Sequence, residues 1–194
     1  MSYAQLFKYM INLLKKFLVP KTHLFLIFII LNGCAVNNKM MLGSEVAEIA
    51  LPLSFESQKR KIQKNPNNQL FYLNASKSRI TYAYGILMEK GDRLMYSNYY
   101  KSREYYAKSL DLFVISRNYL FNALEIKYKN FVQKMRNKEE IAFEKEDIDY
   151  LYWLSGSLAG SIQASQGDPQ YLIDLPSIKW LLESAITVDP NWEN

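Results

Sequence analysis

One histidine and one cysteine are all the imidazole and thiol in this 194-residue chain. Both, His23 and Cys34, stand near its start. That scarcity excludes much chemistry. Ser-His-Asp and Cys-His devices need an imidazole beside the nucleophile, and zinc sites lean on His and Cys. A lone cysteine forms no intramolecular disulfide, whatever the redox compartment. Phosphate-cradling glycine loops, calcium-loop spacing and paired-carboxylate motifs are all missing. No stretch sustains the period-two alternation of a strand. These absences point away from an enzyme, a metal site or a bound cofactor, and towards a protein that works by binding.

What is present begins with an unusual leader. Residues 1–33 hold Lys8, Lys15, Lys16 and Lys21, no acids, and the apolar run Leu24 to Leu31. Eight residues are too few to cross a bilayer, which needs about 20, and suit the apolar centre of a signal peptide. Leu31-Asn32-Gly33-Cys34 follows at once and resembles a bacterial lipobox: leucine at −3, a small residue at −1, then the cysteine that receives lipid. Asn32 departs from the small or β-branched residue usual at −2. An ordinary cleaved signal or a short anchor is the alternative reading. We expect residues 1–33 to be a lipoprotein signal peptide cut between Gly33 and Cys34, residues 34–43 a lipidated tether, and residues 44–194 the folded domain. Without the four leader lysines, Lys+Arg falls from 24 to 20 against 19 acids, a net charge of +1. The isoelectric point near 9.1 therefore belongs to the export signal and does not argue for a nucleic-acid partner.

The rest reads as all-α. Residues 44–64 give an amphipathic start and then a helix opened by Pro52, with Ile49, Leu53, Phe55 and Ile62 on its apolar side; Asn65-Pro66-Asn67-Asn68 closes it. The next helix runs from Gln69 to about Lys90 on Leu73, Ile80, Tyr84 and Leu87, and Gly85 inside it suggests a close helix contact. The longest helix spans Tyr99 to Lys127 on Tyr106, Leu110, Phe113, Leu120 and Leu124, unbroken by proline or glycine. Beyond it lie a basic polar stretch, one short turn over Lys138–Phe143, and Asp147 as a helix cap.

Asp149 to Trp192 organises the chain. Its first helix sets Gly156, Gly160 and Ala164 at i, i+4 and i+8 beside the bulky stripe Leu151, Leu154, Leu158 and Ile162. A stripe of small residues invites close approach by another helix. Asp168 and Pro169 open a short helical segment. The closing helix carries Ile178, Leu181, Leu182, Ala185 and Ile186 and stops at Asp189-Pro190, where proline cannot continue the ladder. Ala185 to Pro190 looks like the closing A-x4-P of a tetratricopeptide (TPR) hairpin.

These segments, in this order, resemble the T component of tripartite ATP-independent periplasmic (TRAP) transporters, a TPR-like lipoprotein family. The resemblance rests on Leu151-Tyr152-Trp153 before the small-residue helix and Asp174-Leu175-Pro176 before the closing one. It also rests on Ala50-Leu51-Pro52, on Asn65-Pro66 followed by Tyr82-Ala83-Tyr84 and Asp92-Arg93-Leu94, and on Leu112-Phe113 with Arg117-Asn118-Tyr119 and Ala123-Leu124-Glu125. It implies irregular TPR-like hairpins stacked into an array, a lipid anchor facing the periplasm from the outer or inner membrane, and a homotrimer. It further implies docking with the substrate-binding P component and a hydrophobic cleft or channel for an apolar ligand. Two features depart from the family pattern. Tyr128-Lys129-Asn130-Phe131 replaces a proline-glycine break, so the central helix is expected to run on. The chain also stops at Asn194 where family members add further hairpins, so it reads as truncated, with uncovered apolar surface on the closing helix near Trp180 and Trp192.

Fifteen tyrosines and three tryptophans could line a ligand path or simply fill the core. Tyr82, Tyr84, Tyr150, Tyr152 and Trp153 are the candidates for ligand or partner binding, because the matching family segments carry them. The acidic run Glu139 to Asp149 reads as a solvated helix start. Two other functions fit the same residues: a structural TPR lipoprotein scaffolding envelope or outer-membrane assembly, and a self-sufficient carrier of apolar ligand. The lipobox is directly testable: Cys34→Ser should abolish lipid labelling and leave the protein soluble or uncleaved. A serine variant that still partitions fully into membranes would mean that another element is the anchor.

Overall fold

The computed structural model describes residues 45–192, so the expected leader (1–33), the lipidation site Cys34 and the tether (34–43) lie outside the described residues. From Val46 onward the chain forms one compact unit, with no strand among the described residues. Helix α1 covers residues 45–64. Helix α2 (Gln69–Tyr82) passes into a π-helical stretch (Ala83–Met88) and then α3 (Glu89–Leu94). Helix α4 (Tyr99–Lys127) is the spine; α5 (Phe131–Asn137), a 3₁₀ turn (Lys145–Asp147), α6 (Ile148–Ala164), α7 (Pro169–Leu172) and α8 (Leu175–Val188) complete the chain. The all-α expectation holds. Successive long helices run antiparallel, an order compatible with stacked hairpins.

The spine is approached on two sides, each by a different device. Ser102, Ser109, Ser116 and Ala123 recur every seventh residue along α4, and all four are fully buried. Small side chains there let α2 and α3 come close, and the hydroxyls find backbone acceptors. Ser102 Oγ donates to Gly91 O (2.7 Å), Ser116 Oγ to Leu112 O (2.7 Å), and Ser76 Oγ to Ser116 O (3.2 Å). Gly91 belongs to this seam: a Cβ there would sit 3.0 Å from the Tyr106 ring. On the other side Phe113, fully buried, projects onto Gly160 of α6. Burying one such ring contributes about 1.5–3 kcal/mol. The stripe Leu151, Leu154 and Leu158 of α6 is buried, as is Leu181 of α8.

Helix α1 is pinned by a buried arginine. Arg79 Nη1 donates to Gln58 Oε1 and to Ala75 O, each at 2.9 Å, and Nη2 to Phe55 O at 3.1 Å. Its guanidinium also lies over the rings of Phe55 and Tyr119, at 4.4 and 5.3 Å. Of the apolar residues assigned to α1, Ile62 is buried, but Ile49 and Leu53 point outward, 67% and 75% exposed. Pro52 does not open this helix; it stands inside it and removes one intrahelical bond.

Other boundaries shift for identifiable reasons. Helix α4 does not run on: Tyr128 is extended and Asn130 takes a left-handed conformation (φ 60°), which asparagine tolerates. Lys138 to Phe143 forms no helical turn; Lys138 (φ 56°) ends α5, and Phe143 N–H bonds Ile141 O at 3.0 Å. Phe143 instead packs edge-on against Tyr128 and Trp180. Helix α8 exposes Leu175, Leu182 and Ile186, while Trp180 and Trp192 pack partly inward.

The acidic run is not all solvated, and Asp147 does not cap α6 with its side chain. Asp147 is 3% exposed and forms a reciprocal capping box with Glu144, accepting from Glu144 N–H at 2.8 Å. Lys127 Nζ, at the end of α4, reaches both Asp147 oxygens at 2.9 Å and Glu144 Oε2 at 2.7 Å. Tyr128 donates its hydroxyl to the same carboxylate. Burial pulls the Lys127 ammonium down, and the bonds to Glu144 and Asp147 outweigh it, leaving the group above its ordinary value.

Two predictions follow from this packing. A Cβ at Gly160 would lie 2.5 Å from the Phe113 ring, whereas one at Gly156 meets nothing within 4 Å. Gly160→Leu should lower the thermal midpoint strongly, by at least the about 1–3 kcal/mol typical of overpacking. Gly156→Ala should be neutral or stabilising by up to about 1 kcal/mol. Equal effects at the two sites would refute the Phe113 contact. The second concerns pH. Burial, followed by the hydrogen bonds to Asp92 and Asp147, pushes the Tyr106 and Tyr128 phenols up to about 12. An unfolded phenol titrates near about 10. A raised folded-state value means that the folded chain holds the proton longer. This contribution is complete below about pH 10 and lost as pH rises towards about 12. Urea midpoints should therefore fall between pH 9 and pH 11.5, with a shallower fall in Tyr106→Phe.

Candidate functional site

An apolar cleft lies where α2 and its π-helical continuation face α6 across the spine. It encloses about 360 Å³ and is lined by Ile80, Thr81, Tyr84, Gly85, Tyr152, Trp153 and Gly156. Its position follows from local sequence. A π-helical stretch widens the helix by a residue and re-aims the side chains it carries. Here it begins at Ala83, so Tyr84 and Gly85 both belong to it. On α6 the glycines stand one turn apart. Gly160 meets Phe113, and Gly156 is left open beside the cleft.

Tyr84 forms the floor. Its ring packs edge-on against Phe113 (centroids 4.6 Å apart), and its hydroxyl donates to Gly156 O at 3.1 Å. Burial, and then the neighbouring Tyr152, push this phenol up to about 12, so it stays a neutral donor at physiological pH. Tyr152 and Trp153 stand edge to face on the α6 wall, 5.7 Å apart, and Trp192 backs Tyr152 at 5.1 Å. At the rim, Lys77 lies 5.6 Å over the Trp153 ring and pairs with Asp149 Oδ2 at 2.5 Å. The ring faces and the apolar Ile80 side chain suit an apolar or aromatic ligand. The polar side-chain groups on the lining are the hydroxyls of Thr81, Tyr84 and Tyr152 and the indole N–H of Trp153.

Three of the five candidates, Tyr84, Tyr152 and Trp153, thus come together. Tyr82 does not join them: it faces α1, edge-on to Phe55 at 6.0 Å. Tyr150 turns to the other side of α6, beside the small cluster of Ile62, Tyr72, Ala75 and Ala123. It borders a larger hollow of about 680 Å³ walled by Lys64 to Leu70. That hollow is polar, open and built on a turn, so it lacks the apolar walls of a ligand site. Sequence reasoning missed Gly85 and Gly156 as cleft walls. A glycine inside a helix predicts a close helix contact at Gly85, yet a Cβ there would meet nothing within 4 Å. The available signal was that two glycines and three aromatic residues cluster in two short segments, at 84–85 and 152–156.

No helix among the described residues is long and apolar enough to cross a membrane, and no group of three or more His, Cys, Asp or Glu side chains gathers there as for a metal. No curated protein matches the chain. The family model described as TRAP transporter T-component matches residues 44–194, from before α1 to the end of the chain. That match takes in the cleft and every helix around it, and the chain belongs to the TRAP transporter T-component family.

Proposed function

We propose that this T component is a lipid-anchored adaptor on the periplasmic face of the envelope. In this reading Cys34 carries the lipid, residues 34–43 are the tether, and the helical domain binds the substrate-binding P component. The domain acts as a homotrimer and holds a hydrophobic ligand in the cleft of Tyr84, Tyr152 and Trp153. The observation that carries the ligand reading is the pair of open glycines. Gly85 and Gly156 line the cleft, and neither contributes to tight packing. Any larger residue at these positions would fill a space that fold stability does not require to be empty. Family membership supports the adaptor role.

An uncharged probe such as N-phenyl-1-naphthylamine tests the cleft. Gly156→Leu and Gly85→Leu should each weaken probe binding at least about tenfold, or 1.4 kcal/mol, while the folded domain persists. Unchanged binding in both variants would show that the cleft is not the site. The adaptor role is tested separately, by whether a TRAP P protein co-purifies with the full chain; its absence from the complex would remove that role and leave the ligand reading standing.

A further inference from the structure

Three tyrosines crowd the turn between α3 and α4. Tyr96 is 100% exposed, Tyr100 84% and Tyr99 55%. This turn is firmly built: Asn98 N–H bonds Leu94 O at 2.8 Å, Asn98 Oδ1 caps α4 by accepting from Lys101 N–H, and Tyr106 donates to Asp92 just behind it. Exposed aromatic rings on a firmly held turn add little to the packing of the unit that displays them.

Their place in the fold gives them another role. Helix α1 runs antiparallel to α2 and α3, because Ile62 clusters with Tyr72, Phe55 packs on Tyr82, and Glu48 pairs with Lys90. The first turn of α1 is therefore level with α3, one or two turns from Tyr96. The outward side of that same half of α1 carries Val46, Ile49 and Leu53, all exposed and spaced i, i+3 and i+7. The opposite end of α1, about 30 Å away for 20 helical residues, is the polar turn Lys64 to Asn68, with no aromatic residue. Three exposed tyrosines and the exposed Val46, Ile49 and Leu53 thus lie towards the end where the chain arrives from Cys34, against only Leu70 and Ile126 among the described residues near the far end of α1. The intervening eleven residues span at most about 40 Å when fully extended. Bringing the far end to a bilayer would require nearly all of that length to run back along α1.

We infer that the Tyr96–Tyr100 turn, with the exposed Val46, Ile49 and Leu53 face of α1, rests on the phospholipid surface in which Cys34 is anchored and fixes the domain's orientation on the membrane. Tyrosine suits this depth, with an apolar ring and a hydroxyl that stays at the headgroup level. The contact works by ring insertion rather than charge. Arg93 and Lys101 stand beside the turn, but each is paired with an acid, Glu89 and Glu104. Neutral phosphatidylcholine is therefore enough. The inference rests on the lipid-anchor reading above.

The test uses the full chain in phosphatidylcholine vesicles. Once Cys34 carries lipid, Tyr96→Cys supplies the only free thiol for a nitroxide, and Asn67→Cys serves as the far-end control; both positions are exposed, so neither substitution disturbs the core. The label at position 96 should collide with membrane-dissolved oxygen in preference to a water-soluble nickel chelate, with chelate accessibility severalfold below that at position 67. Equal, water-like accessibility at both positions overturns the inference. Occlusion of position 96 from both reagents also overturns it, since a protein would then cover the turn. Mass spectrometry of Cys34 and vesicle flotation of Cys34→Ser report on the anchor independently. An unacylated Cys34 sinks the anchor and this orientation together, whereas an acylated, vesicle-bound chain with a wet position 96 sinks only the orientation.

Discussion

The fold depends on how closely α4 can be approached from both sides at once. A 29-residue helix buried along two faces needs small residues wherever a neighbouring backbone must come near. On the α2–α3 side the spine itself supplies them, as the heptad of Ser102, Ser109, Ser116 and Ala123. On the α6 side the spine is bulky, and the partner supplies the space as Gly160. Phe113 fills that space so fully that no Cβ fits. The serines add a second benefit over alanine. Their hydroxyls bond to backbone carbonyls in a fully buried region, so the seam stays narrow without leaving these polar atoms unsatisfied.

The cleft is a consequence of this asymmetry. Helices α2 and α6 both lean on α4, and the ring of Phe113 sets how far apart they stand above it. Tyr84 bridges the gap at its base by packing edge-on against Phe113 and donating to the Gly156 carbonyl. Above Tyr84, Gly85 and Gly156 contribute no side chain, so the gap remains open. Two glycines one turn apart on α6 therefore do opposite things: Gly160 makes the packing possible and Gly156 keeps the cleft unfilled.

Much of the helical layout was legible in the sequence, because burial imposes period on apolar side chains. Tyr106, Phe113, Leu120 and Leu124 lie on the buried face of α4, and Leu151, Leu154 and Leu158 on that of α6. Asp168 caps α7 as its spacing to Pro169 indicates, accepting from Gln170 N–H at 3.0 Å. Periodicity is silent where polar groups are buried. It gave no sign that Ser102, Ser109 and Ser116 form a seam, that Arg79 is buried, or that Asp147 lies inside a network with Lys127, Tyr128 and Glu144. It also assumes one helical pitch. The π-helical stretch breaks that assumption from Ala83 onward; Tyr82 and Tyr84, two residues apart, would face different sides of any helix, and here they face α1 and the cleft. Of the five aromatic candidates, Tyr84, Tyr152 and Trp153 converge because α2 and α6 meet on their side, which no pattern within a single helix shows.

The closing helix links this geometry to the end of the described chain. Helix α8 buries Leu181 and Ala185 in its middle and is tied by ion pairs at both ends. At its start Arg117 of the spine reaches Asp174 at 3.5 Å, and at its finish Lys145 reaches Asp189 at 2.7 Å. The Lys145 pairing, and then the bond from Asn191 N–H, hold the Asp189 carboxyl below the usual range. Asp189 thereby stops the helix, anchors it to the turn before α6, and shapes the short segment that follows. Trp192 emerges from that segment onto Tyr152, at the wall of the cleft. The Asp189-Pro190 punctuation, which in the sequence marks only the end of a helix, thus also positions one side of the site. The outward leucines and Ile186 of α8 play no part in this, since the ties that hold the helix all lie on its inner face and at its ends.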